Sequence, residues 1–134
     1  MYGIEDYLYN GMLFMNNIMR PRHKMLSQLM IYATTQCQSR CKHCSIWKKA
    51  EEHLSLEDVK AIVRSKCVAK NTTVGLEGGE FLLHPEADAI MEWLRVNHPC
   101  YTLLSNCLAP QKVIRAVRTY HPKHLYVSLD GNKE

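Results

Sequence analysis

Cys37-Gln38-Ser39-Arg40-Cys41-Lys42-His43-Cys44 places three thiols on one short stretch, separated by three residues and then by two. The apolar run Leu29 to Thr35 just before it reads as a buried strand, so the cysteine stretch is a loop leaving a strand end. Three thiolates this close in sequence can converge on one metal centre. A structural zinc site wants a fourth protein ligand, and His43 or His53 is near enough in sequence to serve. An iron–sulfur cluster held by three cysteines instead leaves one iron open to an outside molecule. A simple electron-transfer iron–sulfur protein normally brings a fourth cysteine, and the loop has none beside it.

Downstream the chain alternates. Ser55-Leu56-Glu57-Asp58 is a capping-box pattern in which Ser55 accepts from a backbone N–H, and Val59, Ile62, Val63 and Cys67 form the apolar stripe of the helix it opens. Thr73 to Glu77 reads as a second strand, and Gly78-Gly79 supplies a tight turn free of side chains before Glu80. Pro85 suits the first turn of a second helix with Ala87, Ile90, Met91 and Leu94 on one face. Tyr101 to Ser105 is a third strand, Pro110 opens a third helix striped by Val113, Ile114, Val117 and Tyr120, and Leu125 to Leu129 is a fourth strand. Strands alternating with helices imply parallel pairing through right-handed crossovers. The polar motifs all follow strand C-terminal ends, the rim where barrels of this kind build their sites.

Bulk properties narrow the class. The 134 residues are 46% hydrophobic and 22% charged, an ordinary globular balance. The net charge of +4 is spread among acids with no basic run, so nucleic acid is not an expected partner. Six cysteines would suit a secreted disulfide scaffold, but Glu5 and Asp6 lie where a secretion signal would be basic, and a reducing cytoplasm is the expectation. No apolar run approaches the ~20 residues a bilayer span needs. Ile4, Tyr7, Leu8, Met12, Met15, Ile18 and Met19 recur at helical spacing, giving residues 1–28 an amphipathic helix and a linker. That helix is expected to cover one end of the domain, and contact with a membrane surface by residues 1–20, or with a partner, is the alternative.

The Cys-x3-Cys-x2-Cys spacing, with Val74-Gly75-Leu76-Glu77-Gly78-Gly79-Glu80-Phe81-Leu82-Leu83-His84-Pro85 downstream, resembles the radical S-adenosylmethionine (radical SAM) enzymes. His43 stands where that family usually has an aromatic residue, and Phe81 replaces a frequent proline. Ser105-Asn106 is similar to the family's Thr-Asn-Gly, with Cys107 in place of the glycine, and Ser128-Leu129-Asp130 to its Ser-Leu-Asp-Gly. The resemblance implies an α/β fold, a partial TIM-type (β/α) barrel with four of about six units present, so that residues 29–134 form a core domain truncated at its C-terminal side. It implies a 4Fe-4S cluster on Cys37, Cys41 and Cys44, with S-adenosylmethionine on the remaining iron. Reductive cleavage would give a 5'-deoxyadenosyl radical that abstracts hydrogen from an unknown substrate, a small molecule or a peptide. By the same resemblance Glu80, on the Gly78-Gly79 turn, accepts the methionyl ammonium, and His43 lies against adenine. Ser105, Asn106, Ser128 and Asp130 contact ribose and the methionyl carboxylate. Flavodoxin or ferredoxin is the implied electron donor. The rival readings are a zinc-binding structural or nucleic-acid module and an electron-transfer iron–sulfur protein. Cys67 and Cys100 are expected to be small core residues.

Overall fold

The computed structural model describes residues 3–20 and 22–129. Helix α1 (Ile4–Met19) precedes an alternating series: β1 (Leu26–Thr34), α2 (Leu56–Val63), β2 (Val68–Gly78), α3 (Ala87–Asn97), β3 (Tyr101–Ser105), α4 (Pro110–Tyr120) and β4 (His124–Val127). The strands form one parallel sheet in the order β1-β2-β3-β4, part of a TIM-type barrel. Register places Ile31 beside Leu76, Leu76 beside Leu103, and Leu103 beside Leu125.

Strand alternation sends Ile31, Ala33, Val74, Leu76, Tyr101 and Leu103 to one face, where they meet Val59 and Val63 of α2, Ile90, Met91 and Leu94 of α3, and Ala116 and Tyr120 of α4. Each fully buried aliphatic side chain of this kind contributes about 1.5–3 kcal/mol. Polar groups in this layer are paired. The Tyr101 hydroxyl donates to the Tyr120 carbonyl at 2.6 Å, and burial pushes its phenol well above the ordinary value. Thr72 donates to the Leu26 carbonyl at 2.7 Å, holding the start of β2 to β1.

Several sequence boundaries move. β2 begins at Val68 rather than Thr73, because its pairing resumes across an irregularity between Leu26 and Gln28 that the polar Lys70-Asn71 disguises. α2 ends at Val63, leaving Cys67 beyond the helix and half-buried, with its sulfur 3.3 Å from the Ser65 hydroxyl; Cys100 is half-buried too, so neither is a fully enclosed core residue. Pro85 sits ahead of the α3 cap instead of in its first turn. Ile114 falls off the buried stripe of α4 and is 43% exposed. β4 ends at Val127, so Ser128 and Leu129 follow the strand, and Asp130 lies outside the described residues. The Ser55 cap of α2 forms as its sequence pattern predicts, the hydroxyl accepting from Asp58 N–H at 3.2 Å.

α1 departs furthest from expectation. It is held near the N-terminal ends of the strands by Asp6–Lys123 at 3.0 Å and by two 2.8 Å bonds between the Asn17 side chain and the Met25 backbone. None of its residues is buried, and the apolar stripe of Tyr7, Leu8, Met12 and Met15 is more than half exposed.

Candidate functional site

Four strand ends meet at one cavity of about 170 Å³. Its walls are Cys37, Cys41, His43 and Cys44 from the loop after β1, Gly78 and Gly79 from the end of β2, and Ser105, Asn106 and Ser128 from the ends of β3 and β4. Parallel pairing is what assembles it, since every one of these segments leaves its strand on the same side of the sheet.

Backbone bonds fix the cysteine loop to the Gly-Gly turn. Gly79 N–H donates to the Thr34 carbonyl and Glu80 N–H to the Gln36 carbonyl, each at 2.8 Å. The turn has no room for side chains. Gly78 has a φ of +136°, and a Cβ there would strike the Thr34 carbonyl; a Cβ on Gly79 would strike the Gln36 carbonyl and lie 2.9 Å from the Cys37 Cβ. On the outer side, the Thr34 hydroxyl bonds His53 Nδ1 at 2.9 Å, and His53 packs edge-on against His84 with centroids 5.1 Å apart. His53 is thereby committed to the scaffold.

The sulfurs have polar neighbours. Ser39 N–H donates to Cys37 Sγ at 3.4 Å, Asn106 Nδ2 approaches the same sulfur at 3.8 Å, and the Ser39 hydroxyl lies 3.1 Å from Cys41 Sγ. Gln38 Nε2 donates to Asn106 Oδ1 at 3.2 Å, tying the loop to the end of β3. Trp47, in a short 3-10 turn at Ile46–Lys48, donates from its indole to the Cys41 carbonyl at 3.4 Å. Arg40 and Lys48 lie over the Trp47 ring at 5.8 and 5.1 Å.

Glu80 takes an unforeseen place. The residue is 4% exposed, and its Oε2 accepts from the Ser105 hydroxyl at 3.1 Å and from Asn106 N–H at 2.8 Å, and Oε1 from Leu82 N–H at 3.4 Å. Among the described residues, the carboxylate that lines the cavity is Glu77. Sequence reasoning passed over Glu77, Ser39 and Trp47. For Glu77 the signal was available, because alternation along β2 puts it on the face opposite Leu76.

The donor set suits an iron–sulfur group. Three thiols line one cavity, N–H groups point at a sulfur, and the absent Cβ of Gly79 leaves the Cys37 stem its space. Among the described residues, no three His, Cys, Asp or Glu side chains are drawn together tightly enough to cage a single metal ion. No helix is long and apolar enough to cross a membrane, among the described residues. The family model for the Radical SAM superfamily matches residues 31–134. No curated protein and no solved structure gives a significant match.

Proposed function

The chain belongs to the Radical SAM superfamily, and from that premise we propose that Cys37, Cys41 and Cys44 hold a 4Fe-4S cluster whose fourth iron takes S-adenosylmethionine. One observation carries the reading: the three thiols and the Gly78-Gly79 turn, from different strand ends, line one cavity together with Ser105, Asn106 and Ser128. When bound, cluster and cofactor supply one-electron cleavage of the sulfonium to methionine and a 5'-deoxyadenosyl radical that takes a hydrogen atom from substrate.

The chain's own residues place and tune these groups. Ser39 N–H and the Asn106 amide donate toward Cys37, which stabilises negative charge on that sulfur. A carboxylate accepts at about four lone-pair positions; three donors reach Glu80, so acceptor capacity remains for the methionyl ammonium. His43 would lie against adenine, with Ser105, Asn106, Ser128 and Asp130 toward ribose and carboxylate. Flavodoxin or ferredoxin is the proposed electron donor, the substrate a small molecule or a peptide, and the location cytoplasmic.

Anaerobic reconstitution with iron and sulfide, then dithionite and S-adenosylmethionine, tests the reading. The expected results are an iron–sulfur absorption band and 5'-deoxyadenosine. Replacing Cys37, Cys41 or Cys44 with Ala should remove both, whereas Cys67→Ala or Cys100→Ala should leave the band. A chain that binds one zinc, builds no cluster and makes no product overturns it.

A further inference from the structure

On the sheet face opposite the helices Met30 and Tyr32 are 46% and 64% exposed, and the chemistry of this face is not absorbed by the cluster and cofactor. Register aligns Met30, Gly75, Thr102 and His124 across that face, with Tyr32 beside Glu77 in the next row toward the cavity. Gly75 matters to this floor: a Cβ there would collide with the Met30 sulfur, so its absence lets the Met30 side chain lie across β2. Glu77 stands at the border, with its backbone in β2 and its side chain in the cavity wall.

Two observations make Glu77 a binding group. Among the described residues lining the cavity it is the one carboxylate, and no Lys or Arg joins it, so the wall offers a negative charge with no built-in cation. Register sets Tyr32 beside Glu77 on the same face, and the negative charge of Glu77 pushes the Tyr32 phenol above its ordinary value. Tyr32 is 64% exposed and therefore able to swing aside. An anion with only a neutral, exposed phenol beside it gains from a cationic donor.

We propose that Glu77 binds a cationic group of the substrate, an alkylammonium or guanidinium, at the cavity border beside Tyr32. The proposal rests on the radical-enzyme reading for the identity of the cavity, and it goes beyond that reading in assigning the substrate a charge. The methionyl ammonium is the competing source of the same chemistry, and the experiment separates the two.

The full chain, without cluster, is titrated with n-pentylammonium, pentan-1-ol and valerate by calorimetry, and S-adenosylmethionine affinity is measured on the reconstituted protein. The amine should bind at least about tenfold more tightly than the alcohol or the acid. Glu77→Gln should remove that preference while changing S-adenosylmethionine affinity less than about threefold. Tyr32→Phe removes a neutral hydroxyl beside the carboxylate while keeping the ring, and should not weaken amine binding. Amine binding unchanged in Glu77→Gln or weakened in Tyr32→Phe overturns the proposal, as does a loss of S-adenosylmethionine affinity parallel to that for the amine. Because the amine titration needs no cluster, its failure is distinguishable from a failure to form cluster or 5'-deoxyadenosine.

Discussion

The Glu80 carboxylate accepts the Asn106 backbone N–H at 2.8 Å, joining the turn after β2 to the end of β3 inside the fold. Removing it strands that N–H and the Ser105 hydroxyl, both now without their acceptor. Each such loss costs about 1–3 kcal/mol. Glu80→Ala should therefore lower unfolding free energy by about 2–4 kcal/mol in urea titrations, while iron incorporation persists and cofactor affinity falls. Glu80→Gln keeps the shape but presents an amide where N–H donors converge, and should fall between. Parent-like stability in Glu80→Ala would show that the tie contributes nothing.

Gly79→Ala should displace the cysteine loop. The added methyl meets the Gln36 carbonyl and the Cys37 Cβ, both in the backbone-tethered stretch that starts the loop. Overpacking of this kind costs about 1–3 kcal/mol. The expected outcome is a lower melting temperature and less iron and sulfide retained per chain after reconstitution. Gly3→Ala, where a Cβ meets nothing within 4 Å, is the control and should retain parent iron content.

The parts of this architecture legible in sequence were those with a strong period or a fixed chemistry. Tyr101 to Ser105 was recognisable because it is short, apolar and bounded by Pro99 and Asn106, and the Ser55 cap because a hydroxyl and an acid three residues apart satisfy each other. The cavity wall followed from strand ends alone. Side-chain direction at the turn did not. Glu80 follows Gly79, whose backbone N–H is spent on Thr34, and the chain then enters a 3-10 turn that sinks Phe81 to complete burial; no local pattern announces this. The outward stripe of α1 was equally hidden, since periodicity locates an apolar face without saying what meets it.

Acid should expose the role of His84. Its ring is buried, bonds the Leu54 carbonyl at 2.9 Å and accepts from Glu86 N–H at 2.9 Å. Burial holds its pKa below the ordinary 6.5, outweighing the upward pull of the Leu54 bond. Below that value the unfolded chain binds the proton more readily than the folded one, so stability rises with pH there. The contribution is present in full above pH 6.5 and drains away as pH falls through the folded-state value. His84→Gln removes this titration, and its urea midpoint should depend less steeply on pH below 6.5 than the parent's. Parallel slopes would assign the acid sensitivity to other groups.

α1 should behave as a tethered helix with little share in global stability. Helices gain most of their stability from packing an apolar face, and this one buries no residue. Leu8, 63% exposed, can become Gln with an expected change under about 0.5 kcal/mol in unfolding free energy. Asn17 is different in kind, because its amide both donates to and accepts from the Met25 backbone at 2.8 Å. Asn17→Ala should raise amide exchange across Ile4–Met19 in mass spectrometry and leave protection in β2 and β3 unchanged. Leu8→Gln should leave the exchange of both regions near the parent's. If Leu8→Gln instead lowered the unfolding free energy by as much as a core truncation, about 2–5 kcal/mol, the stripe would have to be packed in solution.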